Sequence, residues 1–586
     1  MKKSVLPAIL LIVFVFCGRG AAQAQLQSLP EPYQEKLLNG LKVLVWNDPS
    51  ADKVTVKLRI HSGAAFDPKD KMGVMALLAD IIFPDAQTFN YFEEDLEGKL
   101  EVTSNYDYIQ ITATGKADEF VNMLDTVRAG IVNTAINQEN FVKVRDAQLE
   151  KVKTAAANVG TMADRAAAKR LLGEFPYGRP DPGTPESLAR IDRFDLVGAK
   201  DKFLDADNAT LAIVGKIEPR FAVKAAKQML GSWGKSEGLV PATFAQANEP
   251  DTKTQLIDQP GAATAEVRFA VRGLASNDND NPALVIWTSA FEKKINAALP
   301  PECGPGVKVG QQSHVLPGIL LISGTFPVDA AGKCTAAMKN ILAKADTDKV
   351  KPEDFTAAQN GILQVLGGGA NPDRASDLWL GADTFKWGKP ASQLTLLKAA
   401  TPADGDKVAA RIFWKAPVVS VIVGDAGKIK PQFDGSTQFA LTAEQEDQIK
   451  KEVTDFMNSW KASAEKRDLD ENLKHYAPKL ETYYKETNKD QNDVRAEREK
   501  AFERYDTIKI DLSRVSVRPE SEISASVIFD KKWQYHGREM ISTGAAQQLV
   551  RLVKTNGQWQ IVSEKDLLVY NADTKQIPPP AKPQQQ

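Results

Sequence analysis

Two strand signals recur at a single offset, and nothing else in the sequence restricts the fold so tightly. Residues 37–48 read Leu-Leu-Asn-Gly-Leu-Lys-Val-Leu-Val-Trp-Asn-Asp, followed by Val54-Thr55-Val56-Lys57-Leu58-Arg59-Ile60 in alternation. Asn39-Gly40 is a hairpin-turn signal, so a pair of strands with one buried face is predicted. The layout returns as Gln255-Leu256-Ile257-Asp258, a Pro260-Gly261 turn, and alternating Ala265, Val267, Phe269 and Val271. Ala209-Thr210-Leu211-Ala212-Ile213-Val214-Gly215 likewise returns as Val418-Val419-Ser420-Val421-Ile422-Val423-Gly424. Asp48 and Asp258 lie 210 residues apart, Gly215 and Gly424 209. A shared offset predicts two homologous α+β domains, 30–235 and 254–432, joined by the polar stretch 234–253. Long helices are expected between the strand blocks, at Asn137–Ala156 and Pro352–Leu366, from apolar residues at helical spacing.

Charge narrows the function classes. Of 586 residues, 74 are Lys or Arg and 76 Asp or Glu, so no excess points to nucleic acid or anionic lipid. Four histidines and three cysteines argue against a chain rich in zinc or haem. Lys2 and Lys3, the apolar run Leu6–Phe16 and Ala22-Gln23-Ala24 read as an export signal over 1–24, giving a periplasmic or extracellular protein. Phe14-Val15-Phe16 before Cys17 is too bulky for the lipoprotein alternative. No later run is apolar and long enough to span a bilayer. Export places Cys303 and Cys334 in an oxidising compartment, where a disulfide between them is expected.

The landmarks Leu38-Asn39-Gly40-Leu41, Gly63, Gly73 to Phe83, Pro176-Tyr177-Gly178, Gly183-Thr184, Asn208 to Leu211 and Val214-Gly215 resemble the insulinase/pitrilysin (inverzincin) family of zinc peptidases, which includes the mitochondrial processing peptidases. Ile257-Asp258 and Pro260-Gly261 extend the resemblance into the second repeat. It implies two metallopeptidase-like α/β sandwich domains forming a clamshell, with a peptide-binding chamber. Active members carry His-x-x-Glu-His on a helix: histidines at i and i+4 hold zinc and the glutamate activates water. Here Ala76 and Asp80 stand at the histidines and Ala79 at the glutamate, while the third ligand falls near Glu150. One or two carboxylates do not supply the three protein ligands of a catalytic zinc site. The resemblance therefore implies no metal, no cofactor and no catalytic residue. Family members that lack zinc grip substrate with an arginine and a tyrosine; Pro300 and Val307 occupy those positions.

Other motifs carry no chemistry. His61, His314, His475 and His536 are isolated and read as surface or satisfied core histidines. Gly367-Gly368-Gly369 reads as a helix break, since no Gly-Lys-Ser/Thr follows. Asp278-Asn279-Asp280-Asn281 opens like a calcium loop, but Pro282 breaks the pattern and Ser289 replaces the needed glutamate. Glu93, Glu94, Asp95 and Glu97 read as a solvated helix face.

A different domain is predicted over 441–572. Ile449, Val453, Phe456, Met457 and Trp460 share one stripe of a helix Leu441–Lys466. Helices Leu469–Tyr484 and Asn492–Tyr505 follow, then strands near 508–517, Val527–Tyr535 and a hairpin turning at Asn556-Gly557. Phe456-x-x-x-Trp460, Asp468-Leu469-Asp470 and Asn556 to Ile561 resemble the nuclear transport factor 2-like (SnoaL-like) fold, which implies a cone-shaped α+β domain that often dimerises. Tyr476, Tyr535 and His536 are its possible cavity residues. The Pro/Gln-rich tail, 573–586, is expected to be disordered. The expected function is that of an exported, catalytically inactive peptidase homologue. It would act as a scaffold or as partner of an active insulinase-like subunit, or self-associate through the C-terminal domain. The alternatives are a peptide- or small-molecule-binding protein using the chamber or the cone and, less favoured, an active metallopeptidase.

Overall fold

The structure, a computed structural model, describes residues 29–367, 371–433 and 437–576. The expected export signal, Gly368-Gly369 and residues 577–586 lie outside them. Two compact units result, one holding both repeats and the other the C-terminal domain with residues 253–257. Among the described residues no helix is long and apolar enough to cross a membrane.

The first repeat supplies β1 (Tyr33–Lys36), β2 (Lys42–Asn47), β3 (Lys53–Ile60), β4 (Lys99–Ser104), β5 (Ile109–Lys116) and β6 (Ala209–Gly215). The second supplies β7 (Gln255–Asp258), β8 (Thr264–Arg272), β9 (Lys308–Gln312), β10 (Ile319–Pro327) and β11 (Val419–Gly424). Their sheet orders are β1-β2-β6-β3-β5-β4 and β7-β11-β8-β10-β9. Apart from the extra edge strand β1, the second order reproduces the first strand for strand, which is the architecture expected of a duplication. Gly40, at φ 92°, turns β1 into β2 in a left-handed conformation that glycine tolerates. The helices expected at Asn137–Ala156 and Pro352–Leu366 form as Gln138–Ala156 and Pro352–Gly367.

Alternation in β2 serves two cores. Val43 and Val45 join the main core of the first repeat with Val54, Val56, Leu58 and Ile60 of β3. Leu44 and Trp46 point the other way and bury against Ala375 and Leu380. These two belong to helix Pro372–Phe385, which comes from the second repeat. The exchange is mutual, since helix Val159–Leu172 of the first repeat packs on β8 and β11. Both faces of each central sheet are therefore covered, and this explains why the strands carry near-continuous apolar runs.

Each exchanged helix is tied down by the same device. Lys57 on β3 is 5% exposed and pairs with Asp373 at 2.9 Å and Asp377 at 3.0 Å. Arg268 on β8 pairs with Asp164 of the reciprocal helix and, at 3.0 Å, with Glu266. Lys57 lies opposite Ala212 and Arg268 opposite Val421, so the two cations hold equivalent places in the two sheets. A buried cation requires a partner carboxylate, and here each cation finds at least one on the other repeat's helix.

His61 lies in the same layer, its ring nitrogens 3.0 Å from Thr384 Oγ1 and 3.0 Å from Thr210 Oγ1. Burial lowers its pKa to about 3, outweighing the opposing pull of Asp383, with Lys386, Arg59 and Lys42 adding to the drop. The folded state thus keeps His61 neutral while the unfolded chain takes up a proton below its ordinary pKa of about 6.5. Stability is present above that pH and is lost as pH falls from about 6.5 toward 3. The slope is at most about 1.4 kcal/mol per pH unit, less where water reaches the ring. Urea unfolding at pH 7 and 4.5 checks this: His61→Gln should flatten the loss seen in the parent chain, and an unchanged loss would assign it to other groups.

In the C-terminal unit, helix Ala443–Lys466 starts from a Thr442/Gln445 capping box. Its stripe Ile449, Val453, Met457 and Trp460 is buried as its spacing predicts, with Phe456 partly buried beside it. The remaining elements are helices Leu469–Lys474 and Gln491–Arg504 and strands β12 (Lys479–Tyr483), β13 (Glu486–Asp490), β14 (Thr507–Ser521), β15 (Ser524–His536), β16 (Met540–Thr555) and β17 (Gln558–Gln576). They form a sheet in the order β13-β12-β17-β16-β15-β14. Asn556 and Gly557, both at positive φ, close the β16–β17 hairpin. Register shifts near Ala545, Gln547 and Arg551 mark bulges, which bend such a sheet.

Two expectations differ from this outcome. The helix expected to reach Tyr484 ends at Lys474, and β12 begins at Lys479. Pro478 lacks an N–H and disfavours helix in the residue before it, which ends the helical run. The last strand also runs to Gln576, past the expected domain end at 572, because residues 573–576 pair with Met540–Thr543 of β16.

Candidate functional site

The helix that would carry a zinc motif is Val74–Ile81. It begins at Gly73, whose φ of 102° and close approach to Leu188 and Pro182 leave no room for a Cβ. Asp67 caps it, accepting from Gly73 N at 2.7 Å and Met75 N at 2.9 Å. Burial pushes the Asp67 carboxyl up to about 7 against the pull of those two N–H groups. Ala76 and Ala79 are both buried, and Ala79 belongs to the main core. Asp80 Oδ2 pairs with Lys151 Nζ at 2.9 Å, and Glu150 Oε1 with Lys153 Nζ at 2.9 Å. Two buried methyls have no lone pair to offer, and both carboxylates already face ammonium groups. These residues do not fit a zinc ion, and no chemical step through a metal follows from them. Among the described residues there is no group of three or more His, Cys, Asp or Glu able to hold a metal.

Pro300 precedes a short turn at Pro301–Cys303. Val307 is fully buried and its N–H donates to Asn296 Oδ1 at 3.0 Å. Cys303 and Cys334 form a disulfide with a Cα–Cα distance of 5.7 Å.

The histidines have structural partners that the sequence did not disclose. His314 enters the first repeat from the loop before β10, with Nδ1 2.7 Å from Asp107 Oδ2. Its ring lies 4.2 Å from that of Tyr177, and Tyr106 meets it edge-on at 5.2 Å. Val315 N donates to Asp107 Oδ1 at 3.0 Å, and Leu316 N to the Tyr177 hydroxyl at 3.1 Å. The loop is thereby latched to the other repeat. His475 is held by Ser459 Oγ at 3.1 Å and by backbone carbonyls. His536 is exposed at the end of β15.

Three residues were expected to share a cavity in the C-terminal domain, and the structure separates them. Tyr476 is fully buried in the principal core of that domain. Tyr535 packs against a second, smaller cluster, 5.5 Å from Tyr505, and His536 faces solvent. What surrounds Tyr476 is charged. Its hydroxyl accepts from Trp460 Nε1 at 3.0 Å and Arg498 Nη2 at 2.9 Å, and donates to Glu564 Oε2 at 2.7 Å. Glu564 is completely buried and Arg498 nearly so. Burial raises the Tyr476 phenol, so it keeps the proton that it gives to Glu564. Arg498 was hidden in a helix of continuous charge, and Glu564 sits where the β17 alternation is broken by a register shift.

Comparison with known proteins agrees with this architecture. The family model for insulinase (peptidase family M16) matches residues 42–179 and that for the peptidase M16 inactive domain residues 190–362, together more than half of the chain. The model for the Cds6 C-terminal NTF2-like domain matches residues 452–565. An uncharacterized zinc protease of Rickettsia bellii is 20% identical over 406 residues, covering 66% of this chain and 96% of the relative. One from Rickettsia felis is 21% identical over 223 residues, so that 36% of this chain and only 53% of the relative's length are matched. Among solved structures, the peptidase M16 inactive domain from Pseudomonas fluorescens aligns with a TM-score of 0.61 at 17% identity, over 68% of this chain and 98% of that one. The first half of the periplasmic protease PqqL from Escherichia coli aligns at 0.56 and 13% identity, over 70% and 95%. Through its two repeats the chain belongs to the insulinase family, peptidase family M16, and it carries a nuclear transport factor 2-like domain after them.

Proposed function

We propose that the protein is an exported, non-catalytic member of its family, serving as a scaffold or as the partner subunit of an active zinc peptidase. One observation carries this reading: the helix Val74–Ile81 buries Ala76 and Ala79 where an active site needs a ligand and a base, and Asp80 is committed to Lys151. The duplicated fold, shared with relatives described as zinc proteases, supports the reading of a partner subunit. The relatives' description as zinc proteases belongs to those relatives.

Elemental analysis after dialysis against trace zinc tests the first half of the proposal. Well under one equivalent is expected, whereas a full equivalent that survives dialysis would return the peptidase reading to first place. Light scattering on the chain mixed with an active insulinase-type peptidase from the same cell envelope tests the second half. A complex is expected; two independent species would remove the partner role.

A further inference from the structure

The sheet of the C-terminal unit treats its edges unequally. Along β14 the edge is closed: helix Ala443–Lys466 runs beside it, and Glu465 Oε1 accepts from Ile510 N at 2.8 Å. Just before that strand, the Arg467 guanidinium donates to Asp506 O at 3.3 Å. On the other side, β12 pairs with β17 only at Ser563 and Glu564. From Lys565 to Gln576, β17 therefore has β16 on one side and no described strand on the other. Leu567, Leu568, Val569 and Tyr570 on this open edge are 45–54% exposed. Leu568 lies opposite Gln547 and Val569 opposite Ala546, neighbours that take opposite faces of β16, so the edge is apolar on both faces. No proline interrupts it. An edge this long and apolar is a template for another strand, and proteins ordinarily cover such an edge.

The residues along the edge are complementary to themselves. If a second copy of β17 runs antiparallel about a two-fold axis at Val569, Leu568 lies opposite Tyr570 of that copy, and Lys565 lies opposite its Asp573. Apolar side chains then meet apolar ones and opposite charges meet, the pairings that stabilise adjacent strands. Neighbouring registers lose this match. Shifting the axis half a residue toward Tyr570 sets Asp566 against Asp573, and placing it at Tyr570 sets Lys565 against Lys575. Shifting it toward Leu568 leaves Lys565 opposite the uncharged Ala572 or Asn571. The shape agrees as well. β17 carries an extra residue against β16 at Leu567 and at Tyr570, and such bulges bend a strand. A flat strand would follow the bent edge poorly, whereas a second β17 has the same bulges.

We propose that the chain forms a two-fold dimer by pairing the open edges of β17 in antiparallel register centred on Val569, which joins two C-terminal sheets into one. A contact of this kind uses the same patch on both copies, so it closes at two and does not propagate. The surface lies wholly within the C-terminal unit and goes beyond the scaffold reading. Zinc content and pairing with a peptidase can fail without touching it.

The test is sedimentation equilibrium of the full chain at about 1–100 µM, which spans the affinity of a small interface. A monomer–dimer equilibrium with no larger species is expected. Val569→Lys sets two ammonium groups against each other at the axis, on a position that is half-exposed in the single chain. It should weaken the dimer at least about tenfold with the circular dichroism spectrum unchanged. Lys565→Asp, which faces Asp573 of the second copy, should also weaken it. Adding Asp573→Lys to that variant re-forms the pair with its signs exchanged and should return the Kd to within about threefold of the parent's. This rescue depends on the register and does not arise from a local change within one chain. If Val569→Lys does not fold, the charge exchange decides alone. A monomer throughout the range, a dimer that survives Val569→Lys, or an exchange that fails to rescue would overturn the proposal.

Discussion

Replacing Asp107 by alanine is expected to destabilise the unit formed by the two repeats by about 3–5 kcal/mol. The side chain is 4% exposed, yet it serves three donors: His314 Nδ1 at 2.7 Å, Val315 N at 3.0 Å and the Tyr177 hydroxyl at 3.3 Å. A carboxylate only accepts, so Nδ1 of His314 carries the proton. Removing Asp107 leaves three donors unmatched in a buried place, at about 1–3 kcal/mol each before relaxation, and these costs are not additive. The donors come from both repeats, so the loss falls on their mutual docking. Urea unfolding of the Asp107→Ala chain measures the effect. Asp107→Asn keeps one good acceptor and should cost about half as much. A change below about 1 kcal/mol for alanine would mean that ring packing by Tyr106 and Tyr177 holds the His314 loop unaided.

The second large effect belongs to the disulfide. Cys303 lies at the turn before β9 and Cys334 in helix Ala331–Leu342, 31 residues apart, and both are buried. By loop-entropy reasoning, closing a segment of that length is worth about 3–4 kcal/mol, because the crosslink restricts the unfolded chain. The Cys303→Ser/Cys334→Ser double variant should lose that much in urea unfolding, and reduction of the parent should reproduce the loss. Thiol titration of the denatured, unreduced protein should find neither Cys303 nor Cys334 free. Two free thiols, or equal stability with and without the bridge, would sink this expectation.

The elements that could be read in advance share one property: their signals are local. The alternation in Val54–Ile60 and Ala265–Val271, the turns at Asn39-Gly40 and Asn556-Gly557, and the Ile449–Trp460 stripe each report a side chain's own face. Because two such signals recur at one offset, the duplication was legible as well. That an alanine at Ala76 or Ala79 has no metal chemistry in any fold is likewise a statement about single residues. The helix expected to reach Tyr484 failed where two local signals conflict, apolar spacing continuing past a proline that cannot continue a helix.

Tertiary structure alone decided what those elements meet. Lys57 and Arg268 look like solvent-facing charges in their strands until helices from the other repeat cover them. His314 looks isolated because Asp107 lies 207 residues away in sequence. Arg498 and Glu564 look like ordinary surface charges, and only folding brings them to Tyr476. Periodicity records whether a residue is buried or exposed in its own element, whereas ion pairs and hydrogen bonds depend on distance between elements. The sequence therefore determined the fold and its duplication, and the folded chain determined where its buried charges gather, because no residue's neighbours in space are written in its neighbours along the chain.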